Sequence, residues 1–310
     1  MNRIQHASIA LACVLASTSA MSAAQSSAII NGLSFQVIDL DLSDGYDFQF
    51  SSQGRTLLSL STSNNESGDS DSISRSRNGW LVPGSLASNL DFVTGQATVS
   101  TEGLSLSGQS LGNGNYSASA SSGNEYYYGW GTGDLTLSAN TLVIVSAKAS
   151  VFASATNPAE CSYYYCFSSE SASASAGMHL NYNYYSGNTS VSYSFNESLN
   201  ASASARGAYT YEEFAGYEYV MSPWGYYYYQ PIYNIVNVPS TEGTDAQERT
   251  LTAVFMNSSD MTQVATFGLR ASISGTATTP LSAVPEPSTW AMLLAGVSVV
   301  GALHRKRRIL

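Results

Sequence analysis

Apolar and polar residues alternate with a period of two along most of the chain between residues 30 and 280. The pattern is clearest over 33–42, 96–106, 134–145, 147–155 and 250–256. Alternation places successive side chains on opposite faces of a strand, so these stretches predict half-buried β-strands. No stretch in this range shows sustained helical periodicity with caps. The pattern predicts an all-β fold, an antiparallel β-sandwich of the jelly-roll-like type.

Two pairs of predicted strands are separated by turn residues. Residues 33–42 and 46–50 flank an Asp-Gly turn at 43–45, and residues 250–256 and 262–274 flank a polar turn. Both arrangements are typical of β-hairpins. The most apolar segments predict the centre of the core, which comprises Leu135, Leu137, Leu142, Val143, Ile144 and Val145.

Acidic residues cluster in the first of these turns, at Asp39, Asp41, Asp44 and Asp47. Carboxylates at such a spacing suggest a calcium site, but the spacing departs from the EF-hand loop and lacks its terminal glutamate. The residues therefore predict a turn and no metal site.

Serine and alanine alternate strictly in three runs, at 117–121, 171–176 and 201–205. In a strand this pattern places every methyl group on one face and every hydroxyl on the other. A disordered Ser/Ala linker is the alternative, because no long apolar segment flanks the runs.

Aromatic residues form clusters between these runs. Two of these clusters consist of tyrosines, one at 163–165 and the other at 182, 184 and 185. Exposed tyrosine and tryptophan rings stack on sugar rings and hydrogen-bond to hydroxyls, whereas tyrosines that cover the edges of a small-residue sheet are the structural alternative. The candidates for glycan stacking are Tyr126, Tyr127, Tyr128, Trp130, Trp224, Tyr226, Tyr227, Tyr228 and Tyr229.

The first 24 residues have the pattern of a secretory signal peptide. Arg3 and His6 precede an apolar stretch at 7–16, and small residues follow up to Ala24. The sequence Ser-Ala-Ala at 22–24 is the expected cleavage site. Export makes the remaining cysteines, Cys161 and Cys166, candidates for a disulfide. A zinc half-site and free thiols are the alternatives, although the exported part contains a single further Cys or His side chain.

The last 26 residues of the chain, 285–310, contain three consecutive signals. The motif Pro285, Glu286, Pro287 comes first, and an uncharged apolar segment and a basic cluster follow. This apolar segment, residues 290–303, predicts a short transmembrane helix. Its 14 residues would span about 21 Å, because the helical rise is about 1.5 Å per residue. Its anchoring residues are Trp290, Leu293, Leu294, Val297, Val299, Val300 and Leu303. The basic stop-transfer residues are Arg305, Lys306, Arg307 and Arg308.

This tail resembles the PEP-CTERM sorting signal of Gram-negative bacteria. The resemblance covers residues 284–290, the apolar run 291–303 and the basic end 304–308. It implies that the precursor is exported, held transiently in the inner membrane and cut near the motif by an exosortase. It also implies delivery to the cell surface or the extracellular matrix. We therefore expect a structural or exopolysaccharide-associated protein of the envelope or biofilm.

Four segments follow from these patterns. They are a signal peptide at 1–24, an all-β ectodomain at 25–275, a linker at 276–284 and the sorting signal at 285–310. The formal net charge of the whole chain is −10, and the basic tail makes the ectodomain more acidic than that. Such a surface repels nucleic acid and anionic lipid, so we expect neither as a partner of the ectodomain.

The ectodomain lacks recognisable catalytic motifs. His179 is its single histidine, no G-x-S-x-G elbow occurs, and Lys148 is its single lysine. We therefore expect no enzymatic activity and no cofactor. The alternative is a secreted glycosidase-like enzyme, which needs only two carboxylates, and Asp134, Glu212, Glu213 and Glu218 are candidates for these.

Overall fold

The structure is a computed structural model that describes residues 23–43, 45, 47–50, 54–123, 135–156, 169–186, 189–221 and 227–278. The chain divides into two compact units, Met1–Thr279 and Pro280–Leu310, and all described residues belong to the first unit. This part of the molecule is all-β, as the alternation predicts.

Sixteen strands run through the described ranges. They are β1 Ala23–Asp39, β2 Phe48–Phe50, β3 Arg55–Asn64, β4 Ser70–Asn78, β5 Gly84–Leu90, β6 Val93–Ser100, β7 Gly103–Ser110, β8 Gly114–Gly123, β9 Leu135–Leu137, β10 Thr141–Thr156, β11 Ser169–Ser186, β12 Thr189–Arg206, β13 Tyr209–Met221, β14 Tyr227–Val238, β15 Gly243–Asn257 and β16 Gln263–Ala277.

Two antiparallel sheets pack face to face and form a sandwich. The front sheet has the strand order β15-β10-β1-β7-β6-β5. The back sheet has the order β12-β11-β16-β8-β3-β4, and the short strands β9 and β2 continue from β16. The predicted antiparallel sandwich is therefore confirmed. Four of the twelve pairings in the two sheets join consecutive strands, β3–β4, β5–β6, β6–β7 and β11–β12. The other eight join strands that are not consecutive in the chain.

The core between the sheets consists largely of small residues. Alanines from the three Ser/Ala runs point inward from β8, β11 and β12, and their serines face outward. The runs are therefore ordered strands, and the alternative of a disordered linker is wrong. Of the predicted core centre, Leu135, Leu137, Val143 and Val145 are completely buried. Leu142 and Ile144 instead lie on the outer face of the front sheet, because their neighbours occupy the inward positions of β10.

Both predicted hairpins are wrong. Strand β2 pairs with β9 of the back sheet, whereas β1 belongs to the front sheet. Likewise β15 pairs with β10 in the front sheet, whereas β16 pairs with β8 and β11 in the back sheet. Each polar turn therefore crosses from one sheet to the other. In both cases the turn residues correctly predicted where one strand ends and the next begins. They did not predict which strand each one pairs with.

Side-chain hydrogen bonds connect β12, an edge strand of the back sheet, with β15, an edge strand of the front sheet. The backbone N–H of Thr252 donates to the Glu197 carboxylate at 2.7 Å, and the N–H of Ser202 donates to the Asp245 carboxylate at 3.1 Å. Arg249 forms a 3.2 Å ion pair with Glu197. These bonds satisfy edge groups that would otherwise be open to pairing with another chain. They also fix the place where the chain leaves the sandwich after β12 and returns at β15.

Candidate functional site

Strands β13 and β14 form a two-stranded ribbon between β12 and β15 in the chain. They hydrogen-bond to each other and to neither sheet, and the bridge between Arg206 and Thr241 closes the base of the ribbon. An isolated two-stranded ribbon is only marginally stable in water. Contacts between its side chains therefore add to the stability that the backbone pairing provides.

A β-bulge interrupts the register of the ribbon. Phe214 pairs with Tyr233 and Gly216 pairs with Ile232, so Ala215 is the additional residue on β13. Gly216 has a φ of 138°, a conformation that favours glycine. The additional residue shifts the alternation by one, and as a result Phe214 and Tyr217 lie on the same face although they are three residues apart.

One face of the ribbon carries a continuous chain of exposed rings, which we call the aromatic face. Ring centroids are separated by 6.3 Å between Tyr229 and Tyr217, 5.1 Å between Tyr217 and Phe214, and 6.0 Å between Phe214 and Tyr233. All three pairs are edge-to-face. The exposed fractions are 70% for Tyr229, 66% for Tyr217, 52% for Phe214 and 50% for Tyr233. Aromatic surface exposed to this extent is typical of interaction sites.

Non-aromatic residues extend the aromatic face at one end. Ile235 is exposed and pairs with Glu212, which is also exposed. The strand alternation places both on the face of Phe214 and Tyr233. A carboxylate that accepts hydrogen bonds therefore lies on the same face as the rings.

The opposite face of the ribbon is different in character. It carries Tyr209 and Tyr211, whose rings stack at 6.2 Å, and the Arg206 guanidinium lies 4.1 Å above the Tyr209 ring. Further along, Glu213 pairs with Asn234, and Glu218 pairs with Gln230. Exposed Ile232 lies between these two polar pairs on the same face. This face therefore combines polar and aliphatic side chains, and its described rings lie near the base of the ribbon.

Of the predicted stacking residues, the structure describes few. Tyr126, Tyr127, Tyr128, Trp130, Trp224 and Tyr226 lie outside the described residues. Tyr227 and Tyr228 belong to β14, where the structure describes their backbone. Tyr229 is on the aromatic face, as described above. Sequence reasoning missed Phe214, Tyr217 and Tyr233, because they form no consecutive cluster and the bulge at Ala215 hides their common face.

The carboxylates proposed for a glycosidase do not share one face. Glu212 and Glu213 are consecutive on β13 and therefore point to opposite faces, and Glu218 is on the face of Glu213. All three are exposed, and Asp134 lies outside the described residues. His179 is half-buried on β11, where its ring covers Gly268: a Cβ atom at Gly268 would lie 2.3 Å from the imidazole Cε1.

The acidic turn forms local hydrogen bonds. Asp41 accepts bonds from the N–H of Ser43 at 3.0 Å and from its hydroxyl at 2.6 Å, and these bonds lower the pKa of the Asp41 carboxyl. Asp44 lies outside the described residues. Among the residues that are described, no group of three or more His, Cys, Asp or Glu side chains could hold a metal ion.

The remaining predicted sites lie outside the described residues. Cys161 and Cys166 are among them, so their disulfide stays a prediction. The same holds for the motif Pro285, Glu286, Pro287, for the apolar segment and for the basic end. In the ranges that the structure describes, no helix has the length and hydropathy needed to cross a membrane.

Comparison with known families identifies the tail. Residues 283–308 match the PEP-CTERM protein-sorting motif. The match confirms the resemblance found in the sequence, and it supports an exported protein that is sorted by an exosortase and resides at the cell surface or outside the cell after processing. The curated proteins gave no match to the chain, and neither did the solved structures.

Proposed function

We propose that this exosortase-sorted chain, which carries a PEP-CTERM protein-sorting motif, is a non-enzymatic matrix protein that binds neutral exopolysaccharide through its aromatic face. The single observation that carries the proposal is the chain of four exposed rings from Tyr229 to Tyr233. Polysaccharide chains are extended and repetitive, and the rings follow one another along the ribbon in the same way.

The chemistry of the aromatic face fits sugar rings. The C–H faces of pyranose rings stack on aromatic rings, and tyrosine hydroxyls at the rim hydrogen-bond to sugar hydroxyls. Glu212 adds an acceptor of hydrogen bonds on the same face. None of these contacts requires a nucleophile, so the proposal is binding without cleavage.

The charge of the protein restricts the kind of polysaccharide. The formal net charge of −10 repels polyanions, and the carboxylate of Glu212 on the aromatic face adds local repulsion. A neutral glycan meets no such penalty. Each stacking contact contributes little by itself, so we expect weak binding that is strengthened by the repetition of sites along the glycan.

The test uses the exported protein recovered from the producing cells and exopolysaccharide from the same cells. The double variant Tyr217→Ser with Tyr229→Ser removes two neighbouring rings and should weaken cosedimentation at least fivefold, equivalent to about 1 kcal/mol. Tyr211→Ser is the matched control, because it changes the same residue type on the opposite face of the same ribbon. It should leave binding unchanged.

Three results distinguish the alternatives. Equal loss in both variants would contradict binding at the aromatic face. Shortened glycan products that disappear in Glu212→Gln would favour a glycosidase. Fibre formation by the protein, with no binding to the glycan, would favour a purely structural role. His179→Ala should change neither binding nor product formation, because His179 lies on β11 and not on the ribbon.

A further inference from the structure

The outer face of the front sheet carries apolar side chains at the end where β1 finishes and β10 begins. Six of them, from three neighbouring strands, form what we call the aliphatic patch. They are Ile38, Leu40, Leu142, Ile144, Val254 and Met256. Leu40 follows the last residue of β1, and its backbone N–H donates to the carbonyl of Asn140 at 2.8 Å. The pairing with β10 therefore continues far enough to place Leu40 on the face of Ile38.

The register of the sheet makes the aliphatic patch continuous. Ile38, Leu142 and Met256 occupy one row across β1, β10 and β15. Ile144 and Val254 occupy the next row, two residues along β10 and β15. Side chains directly opposite each other on paired strands are in contact distance, so the patch is one surface that three strands build.

The aliphatic patch is exposed and has a polar border. Its four residues outside β10 are between 37% and 49% exposed. Gln36 borders the patch on β1, and the following row consists of Ser34, Ser146 and Thr252. An exposed apolar patch rimmed by polar residues is typical of a protein–protein interface, where the apolar residues form the centre and the polar residues the rim.

Charged residues of opposite sign flank the aliphatic patch along the strands. Lys148 is exposed on the same face, four residues after Ile144 in β10. Asp41 is exposed beyond the other end, three residues after Ile38. At about 3.4 Å per residue, the two charges lie roughly 14 Å and 10 Å from the patch. The patch therefore has a cation at one end and an anion at the other, at comparable distances.

This order of charges makes the surface complementary to itself. When two copies face each other about a two-fold axis that runs across the strands, patch meets patch and the strands of the two copies run in opposite directions. Lys148 of each copy then comes to lie opposite the partner's Asp41. Facing sheets pack about 10 Å apart, a gap that a lysine side chain and a carboxylate bridge together.

Other partners match fewer of these features. The chain carries a net charge of −10, so two copies repel each other unless they meet through an uncharged surface, and the aliphatic patch is one. A lipid bilayer offers apolar surface, but it has no pair of opposite charges at this spacing. The flanking charges therefore favour a second copy of the chain as the partner.

We propose that the exported protein forms a two-fold dimer through the aliphatic patch. The dimer does not depend on the aromatic face, because β13 and β14 belong to neither sheet of the sandwich. It does change how that face acts, since each dimer carries two ribbons. Two weak sites on one particle hold a repetitive ligand more strongly than a single site does.

The first experiment measures the mass of the exported protein by sedimentation equilibrium over a range of concentrations. Wild type should reach twice the mass of one chain. Val254→Glu places a carboxylate in the patch of each copy and should weaken dimerisation by about tenfold or more, because the buried charge has no partner. Thr244→Glu is the matched control, on the same face of the same strand and ten residues from Val254. It should dimerise like wild type, and circular dichroism checks that both variants are folded.

The second experiment reverses the flanking charges. Lys148→Glu and Asp41→Lys each bring like charges together twice in the dimer, and each should weaken it by about fivefold. The double variant reverses both charges and should dimerise nearly as well as wild type, because opposite charges face each other again. Damage to the fold would add up in the double variant, so recovery identifies the pairing. Both positions are exposed, and this experiment decides the matter even if Val254→Glu unfolds.

The outcomes separate this inference from the proposed function. A wild type that stays monomeric at every concentration overturns the dimer, as does a Val254→Glu variant that dimerises like wild type. A double charge variant weaker than either single variant contradicts the two-fold arrangement. Monomeric wild type that floats with phosphatidylcholine vesicles, while Val254→Glu does not, would assign the patch to a membrane instead. Tyr217→Ser with Tyr229→Ser should dimerise normally, so a failure of polysaccharide binding leaves this result unchanged.

Discussion

The hydroxyl of Tyr116 lies 2.8 Å from Oγ of Ser26, in the middle of the sandwich. Tyr116 belongs to β8 of the back sheet and Ser26 to β1 of the front sheet, so this bond joins the two sheets through the core. The ring occupies a slot between Gly108 and Gly275: a Cβ atom at either glycine would come within 2.4 Å of it. A large side chain therefore fits among alanines only because two glycines leave room for it.

Tyr116→Phe should lower the free energy of unfolding by about 1 to 2 kcal/mol, because the buried Ser26 hydroxyl loses a partner while the ring still fills the slot. Tyr211→Phe is the control, since that tyrosine is exposed on the ribbon. Urea unfolding of both variants measures the difference. A Tyr116→Phe variant as stable as wild type would show that the bond contributes no net stability.

Stability should fall at alkaline pH because of the same residue. Burial raises the pKa of the Tyr116 phenol, and the weaker opposing effect comes from its hydrogen bond with Ser26. A raised pKa in the folded state means that the stabilisation is complete below the unfolded value of about 10 and is lost as pH rises above it. The loss approaches about 1.4 kcal/mol per pH unit. Between pH 8 and 11 the free energy of unfolding should therefore fall more steeply with rising pH for wild type than for Tyr116→Phe, and unfolding curves recorded at each pH measure it.

Asn257 stabilises the connection between β15 and β16, where the chain crosses from the front sheet to the back sheet. Its Nδ2 lies within 3.2 Å of the carbonyls of Leu137, Ser138 and Met261, and its Oδ1 accepts two bonds from Ser259. Asn257→Asp places a carboxylate oxygen against three carbonyls and should cost about 2 to 3 kcal/mol of stability at neutral pH. Asn200→Asp, at an exposed position of β12, should cost far less. Thermal unfolding of the two variants gives the comparison, and equal melting temperatures would disprove the role of Asn257.

The bulge gives a further prediction. Deletion of Ala215 places Tyr217 two residues after Phe214 in a regular strand, so both rings should stay on the aromatic face, because the side-chain period of a strand is two. Binding to exopolysaccharide, measured by cosedimentation, should therefore be retained, in contrast to Tyr217→Ser. Gly216→Ala retains the additional residue and serves as a milder change at the same place. Binding after the deletion as weak as that of Tyr217→Ser would mean that the aromatic face needs the bulge.

The sorting motif can be tested independently of the sandwich. Glu286→Ala should leave uncut precursor in the inner membrane, because we expect the apolar segment and the basic end after the motif to retain the chain there. Immunoblots of membrane and extracellular fractions distinguish precursor from released protein. Glu242→Ala, in the exposed segment between β14 and β15, is the control and should be released normally. Normal release of Glu286→Ala, or of wild type from cells without exosortase, would contradict processing at the motif.

The candidate site was only partly predictable from the sequence. Tyr229 was identified because it ends a run of consecutive tyrosines, and that signal is local. Tyr217 and Tyr233 gave no such signal, because their common face depends on the pairing of β13 with β14 and on the extra residue at Ala215. Register of this kind is a property of two strands, so inspection of either strand alone does not reveal it.

The sequence by itself determined the properties that depend on neighbours in the chain. The period of two separated alanine methyls from serine hydroxyls in β8, β11 and β12, and the tail carried its own sorting motif in consecutive residues. Only the tertiary structure decided which strands pair. Backbone hydrogen bonds are chemically the same for every pair of strands, so the turns at 43–45 and 257–260 could not specify a hairpin or a crossing. The contacts of side chains such as Asn257 and Tyr116, brought together from distant parts of the chain, make that choice.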